Sequence, residues 1–237
     1  MGVLDLPAPL LQWADSQMTM LPTLLRVIVW GTVAGLASMW LYRLISPQER
    51  IARGKQAQLD ARRSLDEFDG ELSEAWPLLR RLLSVSLAQV GRVAVPAVVA
   101  SIPVLFVLVW LSTAYGHAFP ESRAPALRIT PATLDAAWSA SQDGPQIRVW
   151  DESGGTSFAV RVAAPVTVIE HRRWWNMLIG NPAGYLEPGS PAQRIEIVLP
   201  RRQLLEVGPR WMRGWELPFF AALIAASLLL KRMLRIQ

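Results

Sequence analysis

The stretch QERIARGKQAQLDARRSLDEFDGELSEAWPLLRRLLSVSLAQ, residues 48–89, decides the architecture, because it is charged and helix-forming while the chain on either side of it is apolar. From residue 21 to residue 45 the chain is almost entirely apolar, broken by Arg26 and Arg43. A second apolar run covers 92–115 and a third covers 215–234. About 20 helical residues cross a bilayer, so each run is long enough for a transmembrane helix. The pattern predicts three membrane helices, with a helical hairpin at 46–91 between the first two.

Inside the insert, Ser46-Pro47 reads as an N-cap followed by a first helical position, opening a helix over residues 47–68. Asp69-Gly70 is a turn signal. A second arm follows with Leu72, Trp76, Leu79, Leu82 and Leu83, and Pro77 is expected to kink or restart it. Charge is polarised along the hairpin. Arg50, Arg53, Lys55, Arg62 and Arg63 lie towards the membrane, whereas Asp66, Glu67, Asp69, Glu71 and Glu74 crowd the tip. An acidic tip repels RNA and favours a basic protein partner, or self-pairing with Arg80 and Arg81.

Composition agrees with a few spans carrying polar parts. Apolar residues make up 51% of the chain, charged residues 18%, and mean hydropathy is +0.24. The pI near 10.4 comes largely from bases flanking apolar runs, among them Arg43, Arg50, Arg92, Lys231, Arg232 and Arg235. Such bases orient spans and contact lipid headgroups, so no nucleic-acid partner is expected. Their balance places the N-terminus and residues 116–214 outside. The hairpin and the tail 235–237 then lie inside, in a bacterial cytoplasmic membrane. Residues 1–20, with Leu4, Leu6, Leu10, Leu11, Trp13 and Met18, read as an amphipathic interfacial segment. Asp5 and Asp15 without a basic n-region predict that the first apolar run is kept as an anchor.

Residues 116–214 change character. β-Branched or alternating runs occur at 127–130, 146–150, 156–162, 166–171 and 194–199. Between them lie the turn signals Asp143-Gly144, Ser153-Gly154-Gly155, Asn181-Pro182 and Pro188-Gly189. This predicts a small β-rich domain of five to seven strands, sandwich-like or an open barrel, with Ile195, Ile197 and Leu199 on its core face.

The chemistry-bearing residues are few. There is no cysteine and there are only two histidines, His117 and His171, so no thiolate chemistry and no metal site or cofactor is expected. No Gly-x-Ser-x-Gly elbow, phosphate loop or His-Glu-x-x-His helix occurs, and the chain reads as a non-enzyme. His171 reads as a strand-end surface residue. Arg172, Arg173, Trp174 and Trp175 suit either an interface with lipid or a partner, or an amphipathic strand end whose indoles enter the core. Asp66, Glu67 and Asp69 are the partner candidates at the hairpin tip. Arg26 and Arg43 lie near span ends, where snorkelling to the headgroups is the simple reading.

The run Trp40-Leu41-Tyr42-Arg43-Leu44-Ile45-Ser46-Pro47 resembles the end of the first span in the Oxa/YidC superfamily of membrane protein insertases. Pro96-Ala97-Val98-Val99-Ala100-Ser101-Ile102-Pro103, leading into Phe106-Val107-Leu108-Val109-Trp110-Leu111, is similar to the span after the hairpin in that family. The match is to its three-span branch, with the archaeal DUF106 proteins and the core subunit of the ER membrane complex, and covers about residues 20–115. The β-rich insert before the last span departs from the family pattern. The resemblance implies a polar intramembrane groove in which Arg43 attracts acidic residues of a translocating tail, with Thr32, Ser38 and Ser101 supplying hydroxyls. Membrane proteins would be its substrates and the hairpin would receive them. The rival reading is a scaffold subunit of a membrane complex, with β-domain and hairpin binding partners on opposite faces.

Overall fold

The computed structural model describes residues 2–70, 72–120, 123–141, 144–151 and 157–234. The expected turns at Asp143 and at Ser153-Gly154-Gly155, the acid Glu71 and the tail 235–237 lie outside them. Two compact units form. One comprises Met1–Val27 with Leu105–Pro218, the other Ile28–Val104 with Phe219–Gln237.

Five α-helices are described: α1 Ala8–Gln17, α2 Thr23–Ile45, α3 Gln48–Asp66, α4 Leu72–Tyr115 and α5 Glu216–Leu234. Three helices are long and apolar enough to cross a membrane, namely α2, the Ala75–Tyr115 part of α4, and α5. In the second unit, α2 and α5 approach backbone to backbone at Gly31 and Gly35. A Cβ at Gly31 would lie 2.4 Å from the Phe219 carbonyl oxygen, and one at Gly35 would lie 2.6 Å from that of Leu223. Small residues four apart let membrane helices touch in this way, and Ala34 and Ala226 are buried nearby.

The hairpin forms as an antiparallel pair. Gln58 Nε2 donates to Ser86 Oγ at 3.2 Å, and Gln89 Nε2 donates to the Ile51 carbonyl at 3.1 Å. Two details differ from the sequence reading. Ser46 does not cap α3, because its N–H is still bonded to the Tyr42 carbonyl at 2.8 Å as the last link of α2; the cap position falls to Pro47. The second arm and second span are one unbroken 44-residue helix that contains Pro77, Pro96 and Pro103. Pro77 is the sixth residue of α4, where the ring sacrifices a single early i→i−4 bond, so it does not restart the arm.

The β region of the first unit has two three-stranded antiparallel sheets. One has the order β1-β6-β5, from Leu127–Thr130, Arg194–Ile197 and Val168–Glu170. The other has the order β2-β3-β4, from Leu134–Ser141, Gly144–Asp151 and Ser157–Arg161. Both contribute to a single apolar core, with Ile147, Val149, Val162, Ile169, Ile195 and Ile197 buried together. Alternation holds on β6: Ile195 and Ile197 face inward with Leu199 beyond, while Arg194 and Glu196 face out and pair at 2.9 Å. The expected turn at Pro188-Gly189 forms, with Gly189 at φ +93° and Ser190 N–H bonded to the Glu187 carbonyl at 3.0 Å.

Candidate functional site

The four groove candidates sit in the helices of the second unit, on α2 and α4. Thr32 Oγ1 donates to the Ile28 carbonyl at 2.9 Å, and Ser101 Oγ donates to the Val98 carbonyl at 2.7 Å. Each hydroxyl is therefore satisfied by its own helix, as a hydroxyl in an apolar span must be when nothing else is near. Ser38 is half-buried, and Arg43 is exposed in the last turn of α2. Among the described residues no hydrogen bond or ion pair links any two of these four.

Arg26 is different. It does not simply snorkel to the headgroups: its guanidinium forms an ion pair with Asp15, with Nε 3.2 Å from Oδ1. Asp15 is only 3% exposed. The Tyr115 hydroxyl donates to both carboxylate oxygens, at 2.8 and 2.9 Å. Arg26 and Arg202 lie over the Tyr115 ring at 5.7 and 5.8 Å from its centroid. A buried carboxylate is tolerable only when paired and hydrogen-bonded, and both conditions hold here. The cluster ties α1, the start of α2 and the end of α4, and Trp110 Nε1 adds a bond to Gln12 at 3.3 Å. Asp15 is the sole acid between Asp5 and Glu49, and Arg26 the first base, which was the available signal.

A second carboxylate closes the N-terminal segment onto the β region. Asp5 Oδ2 accepts from the N–H groups of Gly2 and Gly180, at 2.8 and 2.7 Å, and Leu4 N–H bonds the Leu178 carbonyl at 2.9 Å. This fixes a 3-10 turn, Trp174–Met177, beside the N-terminal residues. Trp174 is 80% exposed and Trp175 41%, so neither indole is core; Met177, Leu178 and Ile179 are exposed as well. Leu6, Leu10 and Trp13 are also exposed, on the same unit. Arg172 is exposed and pairs with no described carboxylate. Arg173 lies 3.7 Å from Glu170, which Arg194 also approaches at 3.8 Å, so part of its charge is spent internally.

At the hairpin tip, Asp66, Glu67 and Asp69 are all exposed. Asp66 pairs with Arg62 one turn back, at 4.0 Å, a surface contact of small energetic weight. Among the described residues no carboxylate pairs with Arg80 or Arg81; Glu71 and the side chain of Glu74 fall outside that set.

His117 bridges Arg201 in an isolated antiparallel pair and lines a cavity of about 440 Å³ with Arg202, Arg210 and Trp211. Burial lowers its pKa, the Arg201 charge lowers it further, and Glu216 opposes them. His171 is half-buried just beyond β5. Among the described residues, no group of three His, Asp or Glu stands close enough to hold a metal ion. Comparison with protein-family models, with curated proteins and with solved structures finds no match to this chain.

Proposed function

We propose that this chain is an insertase-like integral membrane protein, related in design to the three-span branch of the Oxa/YidC superfamily, that assists insertion or assembly of other membrane proteins. The observation that supports it most is α4. A single helix carries the hairpin arm directly into an apolar span, so a substrate received on the hairpin is passed along a continuous surface to the bilayer. Arg43, exposed at the end of α2 next to the hairpin, is placed to draw acidic residues of an arriving segment. The acidic tip, with Asp66, Glu67 and Asp69, would meet a basic partner. In this reading the hairpin faces the cytoplasm, the β region lies outside, and membrane-protein substrates and lipids are the partners. No bond is made or broken, and substrate hydrophobicity drives the step.

The test is depletion followed by measurement of membrane insertion of short-tailed substrates, with rescue by wild type and by Arg43→Ala. Depletion should lower insertion and Arg43→Ala should rescue poorly. Normal insertion after depletion, or full rescue by the variant, sinks the proposal.

A second reading, a scaffold subunit of a membrane complex, draws on two specific observations. The hydroxyls of Thr32 and Ser101 are spent on their own helix, and the β region carries the exposed Trp174 surface. Loss of a co-purifying partner on Trp174→Ser, with insertion unaffected by Arg43→Ala, would favour it.

A further inference from the structure

The base of the hairpin holds a cavity of about 560 Å³ between α3 and α4, lined by Arg50, Arg53 and Arg92 together with Ser84, Gly54 and Ala88. Arg50, Arg53 and Gly54 share one face of α3, while Ser84, Ala88 and Arg92, spaced four apart, share the facing stripe of α4. Small residues line both sides of the cleft, Gly54 leaving room for the Arg92 guanidinium against α3, and Arg50 and Arg53 line it as well. Among the described residues no carboxylate pairs with any of the three. Their own hydrogen bonds are long and few: Arg53 Nε to the Glu49 carbonyl at 3.4 Å, and Arg92 Nη1 to Gln89 Oε1 at 3.5 Å. Three like charges held around one cavity repel each other unless an anion sits among them. Guanidinium forks match phosphate oxygens two at a time.

The surroundings narrow the source of that anion. Arg92 is followed at once by the apolar part of α4, where Val95 and Val98 are 64% and 66% exposed. Arg50 lies five residues beyond the end of α2, whose final residues Leu44 and Ile45 are also exposed. An anion in the cleft therefore has exposed hydrocarbon surface close by, a setting that suits acyl chains and offers nothing to a free ion. We propose that this cleft binds the phosphate group of an anionic phospholipid, at the headgroup layer on the hairpin's side of the membrane. The site goes beyond the insertase reading and stands without it. A bound lipid there bridges α3 and α4 and fixes the base of the hairpin relative to the bilayer surface.

The test is titration of the full-length chain in neutral detergent, read by native mass spectrometry. The ligands are phosphatidylglycerol, phosphatidylcholine, inorganic phosphate and a soluble Glu-rich peptide. Saturable binding of phosphatidylglycerol in preference to phosphatidylcholine is expected, weakened about fivefold for each of Arg50→Gln, Arg53→Gln and Arg92→Gln. Arg128→Gln, an exposed β1 residue that does not line the cleft, should leave binding unchanged. Arg92→Lys, which keeps the charge and loses the fork, should fall between wild type and Arg92→Gln. Undiminished phosphatidylglycerol binding by the triple Gln variant overturns the proposal. So does equal affinity for phosphatidylcholine, or for inorganic phosphate. Tighter binding of the Glu-rich peptide at the same arginines would reassign the cleft to protein and also overturns it.

Discussion

Gly31→Ala should loosen the contact of α2 with α5, and its cost follows from distances. The new Cβ would stand 2.4 Å from the Phe219 carbonyl oxygen and 3.0 Å from Ala222 Cβ. A carbon and a carbonyl oxygen rest at about 3.3 Å or more, so the helices must separate by roughly 0.9 Å. No rotamer change relieves the clash, because the obstructing atom is backbone and Phe219 is fully buried. Overpacking of this kind costs about 1–3 kcal/mol, a 5- to 150-fold loss in the folding equilibrium. Gly91→Ala is the internal control. It lies in α4 with nothing within 4 Å of its would-be Cβ, so replacement should stabilise by up to about 1 kcal/mol through helix propensity. The pair should therefore move in opposite directions when the purified chain is unfolded with SDS in mixed micelles and followed by tryptophan fluorescence. If Gly31→Ala is as stable as wild type, or if both variants shift alike, then α2 and α5 do not meet at their backbones and the reasoning fails.

Asp15→Ala leaves the half-buried Arg26 without its carboxylate, and should cost about 3 kcal/mol in the same unfolding assay, with Asp15→Ala/Arg26→Ala recovering much of it. Asp5→Ala frees the N–H groups of Gly2 and Gly180. It should lose about 1.5–3 kcal/mol of local stability, seen as faster proteolysis of residues 2–22 with the β region left intact. His117 has a pKa below 6.5, so in the fold it stays neutral where the unfolded chain takes up a proton. Its contribution to stability is thus full above pH 6.5 and declines as pH falls from there towards the lowered value. Denaturation compared at pH 7.5 and 5.5 should show this loss in wild type and a smaller one in His117→Gln; equal losses would refute the assignment.

The legible parts of the fold were those specified locally. β1 and β6 announce themselves through β-branched residues and alternation, and the Pro188-Gly189 turn through residue types that demand it. β2, with the sequence LDAAWSAS, did not. Alanine and serine have little preference for strands, and what holds it there is pairing with β3 along its whole length, from Leu134 opposite Asp151 to Ser141 opposite Gly144. The hairpin was readable from its charge and its Asp69-Gly70 turn. The continuity of α4 was not, because a proline six residues into a helix looks the same in sequence as one that ends it. The two N-terminal carboxylates were the largest omission. Asp15 meets Tyr115 one hundred residues on, and Asp5 meets Gly180 after 175, distances at which no periodicity or spacing speaks. Of the groove candidates, the residue types were polar as read, but whether a hydroxyl serves a groove or its own helix depends on the rotamer.

Those same separations set a timetable for biogenesis. Arg26 emerges eleven residues after Asp15, so the two charges can neutralise each other almost as soon as both are made. Tyr115 arrives much later, and Gly180 later still. At about 5–20 residues per second, the interval between making Asp5 and making its clasp is roughly 9–35 s. Throughout that interval the exposed Leu10 of the first helix has no finished β region in its unit. The clasp of Asp5 thus waits on a surface made 175 residues further along the chain.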